Sequence, residues 1–132
     1  MAEIREAVGN YSGVDVTLVT TTEGVVITAD MIAPPYDSVQ AVILAWGQLT
    51  TGAGVTTVTP RIRRGNTITG ALVGEANAEA LKVAAGSTEP FFIMVAEDLV
   101  RLSSIQYSFT LQQTGGAANG TVLQASIVVW LF

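Results

Sequence analysis

Apolar and polar positions alternate with a period of two along most of this chain, most cleanly over residues 103–113. Successive side chains of a strand point to opposite faces, so this period predicts a strand with one face in the core and one in solvent. Its inward positions are expected to be Ile105, Tyr107, Phe109 and Leu111. Similar segments, separated by turn residues, cover 14–20, 25–28, 38–48, 56–64, 67–73, 90–96 and 121–132. About eight short strands with turns between them predict an all-β sandwich.

Two of the predicted strands are apolar on both faces. In residues 38–48, one face carries Ile43 and the other carries Leu44 and Trp46. Residues 90–96 are apolar on both faces in the same way. Because a strand that is wet on one face keeps polar residues there, we expect both of these strands to be buried on both sides.

The last predicted strand has one face that is apolar throughout and one that becomes apolar only near its end. The continuous face runs from Leu123 to Leu131 and is expected to be core. The other face starts mixed, and its apolar end needs cover because chain ends are usually solvated. We therefore predict a subunit interface formed by Val128, Trp130, Phe132 and Trp46. Aromatic residues are enriched in cores and interfaces, which favours packing over ligand stacking for both tryptophans.

Two segments lack a clear strand pattern. Residues 1–13 are predicted to form an N-terminal arm on a domain at 14–132, and residues 1–8 would form two marginal helical turns. Residues 75–85 are rich in helix formers, so that either one short helix or a strand that includes Leu81 and Val83 fits the pattern.

The composition indicates a single domain whose surface is unusually apolar. The chain has 132 residues, of which 49% are hydrophobic and 13% are charged. The charged share is about half the usual value for a soluble domain, so we expect part of the surface to be hidden in an oligomer. No apolar run reaches the ~20 residues that span a bilayer. Residues 1–8 are too polar for a signal peptide, which predicts synthesis in a cytoplasm without a secretion route.

Three of the six basic residues form one cluster, Arg61, Arg63 and Arg64, in a chain of net charge −5. A nucleic-acid-binding surface needs a broad basic face, so nucleic acid is not expected as a partner. The cluster is either an anchoring patch for an acidic partner or an outward strand face paired with carboxylates of neighbouring strands. The second interpretation is favoured.

Catalytic chemistry finds little support in the residue types present. The chain has no histidine and no cysteine, which excludes Ser-His and Cys-His pairs and the usual zinc ligand sets. Glu97 and Asp98 are adjacent, so that a strand would aim them at opposite faces. The aspartates are isolated along the chain. We therefore predict no catalytic residue, no metal site, no cofactor and no enzymatic activity.

The order of features resembles small jelly-roll domains of tailed-bacteriophage virion proteins, such as head decoration (cement) proteins and fibre heads. The similar features are Arg-Ile-Arg-Arg-Gly at 61–65, Thr-Ile-Thr-Gly at 67–70, Ala-Ala-Gly-Ser-Thr at 84–88 and the alternating run at 104–112. The closing strand is also similar to that of the tumour-necrosis-factor/C1q-type jelly roll, in which it lies near a threefold axis. The resemblance implies an eight-stranded jelly roll that forms a homotrimer.

The resemblance implies a structural role on a virion, at the capsid surface. The first hypothesis is a decoration protein that binds the major capsid protein on the outside of a phage head and stabilises it, with residues 1–13 as a tether. One alternative is a receptor- or glycan-binding head domain. Another is a coat protein that assembles into a shell unaided. No membrane partner is expected.

Overall fold

The computed structural model describes residues 6–13, 15–19, 21–32, 38–51, 56–74, 81–84, 86–100, 104–115 and 119–132. These residues form nine strands. The strands are β1 (Glu6–Ser12), β2 (Val16–Thr17), β3 (Glu23–Thr28), β4 (Ser38–Thr50), β5 (Thr56–Arg64), β6 (Leu81–Val83), β7 (Thr88–Val100), β8 (Tyr107–Thr114) and β9 (Thr121–Leu131). Within the described ranges, no helix has the length and apolar character needed to cross a membrane.

The strands form two antiparallel sheets that pack as a sandwich. Sheet A has the order β1-β9-β4-β7, and the two-residue strand β2 also pairs with β9. Sheet B has the order β3-β8-β5-β6. Strands from distant parts of the sequence are neighbours in both sheets, as in the two Greek keys of a jelly roll. The predicted all-β jelly-roll sandwich is confirmed, with β1 as an additional strand.

The core lies between the sheets and is formed by alternate residues of each strand. In sheet A, Ile43 of β4 and Ile127 of β9 are fully buried. In sheet B, Tyr107, Phe109 and Leu111 are fully buried, as the alternation predicts. The rings of Phe91 and Phe109 stack across the two sheets with centroids 5.4 Å apart, an arrangement that adds to the energy of apolar burial.

A β-bulge between β4 and β9 changes which residues of β9 face the core. Gln48 pairs with Gln124, whereas Leu49 pairs with Val122, so that Leu123 is an extra residue on β9. Val122 is consequently buried and Leu123 is only half-buried. The prediction that the core face begins at Leu123 is therefore wrong, although Ala125 to Leu131 follow it.

Other local predictions also need correction. The helical turns expected over residues 1–8 are absent from 6–8, which belong to β1 and pair with β9. The pattern of residues 67–73 predicts a strand, but these residues form turns with a single bridge from Leu72 to Arg63. Of the segment 75–85, residues 81–83 are a strand, and 75–80 and 85 lie outside the described residues.

Gly47 on β4 permits a close approach of three strands. A Cβ atom at this position would lie 2.1 Å from the carbonyl oxygen of Gln124 and 2.8 Å from Cζ of Phe91. Neither neighbour can yield easily, because one is backbone of the adjacent strand and the other is a stacked core ring. Only glycine fits at this point of the sheet.

We predict that Gly47→Ala lowers the free energy of unfolding by about 3 kcal/mol, since overpacking a tight core costs roughly 1–3 kcal/mol and here the obstacle is backbone. Gly24→Ala on β3 is the matched control, because no atom lies within 4 Å of its Cβ position. The control should change stability by less than about 1 kcal/mol. Urea unfolding of both variants measures the difference, and equal midpoints would contradict the close approach.

Candidate functional site

The outer face of sheet A, which points away from the core, is apolar across all four of its main strands. Paired positions form three rows perpendicular to the strands: Ala7–Trp130–Val42–Ala96, Gly9–Val128–Leu44–Met94 and Tyr11–Ser126–Trp46–Phe92. The described residues in these rows carry no charge, and Ser126 is their one side-chain hydrogen-bonding group apart from the ring groups of Tyr11 and the tryptophans.

Much of this face is open to solvent in the single chain. The exposed fractions are 73% for Phe92, 63% for Met94, 64% for Tyr11 and 40% for Trp46. The expectation that the strands at 38–48 and 90–96 are buried on both sides is therefore wrong for one protomer. Exposed large apolar residues that lie side by side, rather than scattered, mark an interaction surface.

The structure brings together the residues that the sequence predicts for an interface. Val128, Trp130 and Trp46 lie within the three apolar rows. Phe132 follows directly, and its backbone exchanges two hydrogen bonds with that of Gln40 on β4. Their role as a subunit interface stays a prediction, but they share one continuous face.

Sequence reasoning missed three exposed aromatic or sulfur-containing residues of this face. Phe92 and Met94 were recognisable only as half of a doubly apolar strand, and the position of β7 at the sheet edge was needed to see that they are uncovered. Tyr11 gives no signal in the sequence, because residues 1–13 lack a clear strand pattern and are predicted to form an arm.

Polar residues bound the apolar rows at both ends. Gln40 and Asp98 lie beyond the first row, and Gln48 and Gln124 lie beyond the third. Next to the third row lies a small concavity, which is lined by Tyr11, Trp46, Gly47, Gln124, Ala125 and Ser126. The Tyr11 hydroxyl lies 3.5 Å from Oε1 of Gln124.

The outer face of sheet B has the opposite character, since charged groups there bind each other. Arg63 donates to the Glu23 carboxylate from Nε at 2.5 Å and from Nη2 at 2.9 Å, and Arg61 Nη1 donates to it at 3.1 Å. The Thr110 hydroxyl donates to the same carboxylate at 3.0 Å. Arg61 also donates to Gln112 Oε1 at 2.8 Å. This group ties β3, β5 and β8 together.

Arg64 ends β5 on the side of the opposite sheet, with 47% of its side chain exposed. It takes part in a second polar group, which links the two sheets. Its guanidinium donates to both carboxylate oxygens of Glu97 on β7, at distances from 2.5 to 3.0 Å. The Tyr107 hydroxyl of β8 donates to Glu97 Oε1 at 2.6 Å. Burial, followed by this hydrogen bond, raises the pKa of Tyr107 far above its usual value. Glu97 thus binds groups of the opposite sheet, while Asp98 points to the exposed face. The two adjacent side chains lie on opposite faces, as their adjacency predicts.

The arginines of the cluster are therefore paired within the chain. Arg61 and Arg63 pair with Glu23 on the outward face of the same sheet, as the favoured interpretation predicts, whereas Arg64 pairs with Glu97 of the opposite sheet, which that interpretation does not predict. Its role as an anchor for an acidic partner stays a prediction. In the described part of the chain, no group of three or more acidic, histidine or cysteine residues is placed to hold a metal ion. The chemistry of the outer face of sheet A is that of apolar burial.

We predict that Glu23→Gln destabilises the protein by about 1–3 kcal/mol near neutral pH, since it removes charge-assisted hydrogen bonds. The hydrogen bond from Arg63 lowers the pKa of Glu23. A lowered folded pKa stabilises the protein above the unfolded value of about 4.3, and this contribution is lost as pH falls through the folded pKa. The deficit of the variant should therefore shrink in acid, which urea unfolding at a series of pH values measures.

Thr110→Val is the control for this prediction. It removes one hydrogen bond to the same carboxylate and keeps both ion pairs, so its loss should be smaller than that of Glu23→Gln. A deficit of Glu23→Gln that stays constant between neutral and acid pH would contradict the charge-dependent role of Glu23.

Comparisons with known proteins give resemblance at the level of overall structure. No protein-family model matches the chain, and no curated protein matches it. A chain in the structure of infectious bursal disease virus Gx strain is 15% identical, with a TM-score of 0.46 over 98% of this chain and 34% of that chain. A chain in the crystal structure of the T13 IBDV viral particle is 12% identical, with a TM-score of 0.43 over 92% of this chain and 31% of that chain. The present chain thus spans about a third of the length of either.

Proposed function

We propose that this protein is a structural component of a virus particle, and that it works by assembling through the outer face of sheet A. In its specific form the proposal is a capsid decoration protein. The chain forms a homotrimer, binds the major capsid protein on the outside of a phage head and stabilises the shell. The virion setting comes from the sequence resemblance to phage jelly-roll domains.

The observation that supports an assembly role is the size of the uncovered apolar face. Four strands at ~4.8 Å spacing and three rows about 7 Å apart cover roughly 400 Å². That is within the range of the largest patches on ordinary monomers, which are often functional. Burying it at ~25 cal/mol per Å² contributes about 10 kcal/mol before the cost of association, estimated at about 4–15 kcal/mol, is subtracted. The gain is therefore of the same order as that cost, so the face can supply a major part of the free energy of association.

The distribution of charge supports the same face as the assembly surface. The outer face of sheet B carries carboxylates and guanidinium groups that already satisfy each other. The apolar rows of sheet A have no such internal partners. A second protein surface that covers them removes apolar area from water without desolvating a charge, which is the less costly way to form an interface.

A receptor- or glycan-binding head is the second candidate function. The concavity at Tyr11, Trp46, Gln124 and Ser126 supports it, because two exposed aromatic rings flank an amide and a hydroxyl. Apolar sugar faces stack on aromatic rings, and amides and hydroxyls bind sugar hydroxyls. The aliphatic rows beside it favour a protein surface over a sugar, so assembly remains the first proposal.

The assembly proposal predicts that Leu44→Lys, at the centre of the face, weakens oligomers and capsid binding by at least about tenfold. Burying the added ammonium without a partner costs several kcal/mol. Leu72→Lys is the matched control, since Leu72 is 40% exposed and lies outside the face. Light scattering with size-exclusion chromatography, with and without empty phage capsids, gives the mass and the binding of both variants.

Each outcome of that experiment favours one hypothesis. A soluble oligomer that binds capsids supports the decoration protein. Shells formed by the chain alone support a coat protein. Saturation with a soluble glycan, without capsid binding, supports the binding head. A wild-type monomer that ignores capsids, or equal behaviour of the two lysine variants, would overturn assembly through this face.

A further inference from the structure

Strand β7 forms one edge of sheet A and is the longest edge strand in the described part of the chain. It extends over 13 residues, Thr88–Val100, and β4 is its one ladder partner there. The other edges are shorter, with 7 residues in β1, 6 in β3 and 3 in β6. Strand β3 also carries a bulge, which makes an edge a poor template for pairing.

The direction of the main-chain groups of β7 follows from two independent observations. Gln40 and Phe132 exchange both backbone hydrogen bonds, so even-numbered residues of β4 bond to β9 and odd-numbered ones bond to β7. The even-numbered residues of β7 pair with even-numbered positions on β4. Their N–H and C=O groups therefore point away from β4, in the plane of the sheet and toward its open edge. Pro90 agrees, because a proline is tolerated in an edge strand where its nitrogen faces away from the partner.

In the part of the chain that the structure describes, the main-chain groups in the middle of β7 that point away from β4 have no backbone partner. None of the described residues forms a backbone hydrogen bond to Phe92, Met94 or Ala96 on this side. Charged residues and proline on an edge strand disfavour pairing, and β7 has Glu89 and Pro90 near one end and Glu97 and Asp98 near the other. Residues 91–96 between them are apolar. An edge of this length with an apolar middle is suited to pairing with another strand.

We propose that β7 pairs antiparallel with β7 of a second copy across a twofold axis, with Met94 opposite Met94 of that copy. A twofold axis perpendicular to the sheet keeps outer side chains on the outer face, so each residue must face one of the same parity. Met94 is the midpoint of Thr88–Val100, and this register alone pairs the strand over its full length. It joins two copies of sheet A into one continuous sheet.

Side-chain matching selects the same register. Phe92 faces Ala96 of the second copy, which sets a large side chain beside a small one, and Pro90 faces Asp98. A shift of the axis to Ile93 places Glu89 opposite Glu97, and like charges directly opposite are destabilising. A shift to Phe92 brings Pro90, which has no N–H to donate, opposite Met94, whereas the Met94 register keeps Pro90 near the end of the pairing, opposite Asp98. In the Met94 register, Phe92, Met94 and Ala96 supply about six main-chain hydrogen bonds between the copies.

This contact goes beyond the proposed function, because it uses the main chain at the sheet edge and not the side chains of the outer face. It would also place two apolar faces side by side, which gives a surface of about twice the area for a capsid or another layer of subunits. A trimer formed through Trp130 and its neighbours leaves the β7 edge available for the twofold contact.

Single cysteine variants test the register, since the chain has no cysteine of its own. Facing residues of a hydrogen-bonded pair have Cα atoms about 5.5 Å apart, within the range of a disulfide. Under mild oxidation, Met94→Cys should cross-link into dimers on a denaturing gel. Phe92→Cys and Ala96→Cys should not, because each lies about 14 Å from its symmetry mate. Met31→Cys, 65% exposed and away from the edge, measures random collisions.

The contact should also depend on the outward N–H of Ala96. Ala96→Pro removes that donor and leaves the β4 ladder intact. Sedimentation should therefore give a dimer dissociation constant at least about tenfold higher than that of the wild type. Ala96→Thr keeps the donor and should bind like the wild type. This pairing would be overturned if Met94→Cys cross-links no faster than Met31→Cys, or if Phe92→Cys or Ala96→Cys cross-links preferentially. Equal dimer affinities of Ala96→Pro and Ala96→Thr would also overturn it. The effect of Leu44→Lys is read separately, so failure at the edge and failure at the face are distinguishable.

Discussion

The register of β9 between β1 and β4 is the constraint on which the rest of the structure depends. Its seven-residue pairing with β1 and its ladder with β4 fix which side chains of three adjacent strands point inward. A slip of one residue would exchange the core for the outer face along the whole strand. The bulge opposite Gln48 and Leu49 is part of this constraint, because it turns Val122 inward where plain alternation would place Leu123.

The outer faces of the two sheets differ in how they are shielded from water. Sheet B covers its central strand with arginine side chains whose charges meet Glu23, so Ser108 and Thr110 are buried although they point away from the core. Sheet A leaves Trp46, Phe92 and Met94 in contact with water. The outer face of sheet B is thus covered by its own charged side chains, whereas the exposed apolar area of sheet A favours a partner. The inter-sheet group of Arg64, Glu97 and Tyr107 holds the two sides together at one end.

The sequence predicts the strands of this fold better than it predicts their neighbours. Alternation around Tyr107 and Phe109 identifies an inward face because burial acts on each strand locally. The bulge at Leu123, the pairing of β1, and the edge position of β7 arise from contacts between residues far apart in sequence, which no local pattern encodes. The residues around Trp130 that are predicted to form an interface could be selected by their hydrophobicity. Their continuity with Phe92 and Tyr11 required the strand order.

The pairing of β1 with β9 joins residue 6 to residue 131, and this has a consequence for how the domain folds. Sheet A cannot close until the last strand has left the ribosome, because β9 separates β1 from β4. Until then β4 has no partner on the side that faces β9, and only its ladder with β7 can form. Folding dominated by such distant pairings is slow, and an unpaired apolar strand edge favours aggregation. The strand that completes the fold last therefore also limits how long the nascent chain remains vulnerable.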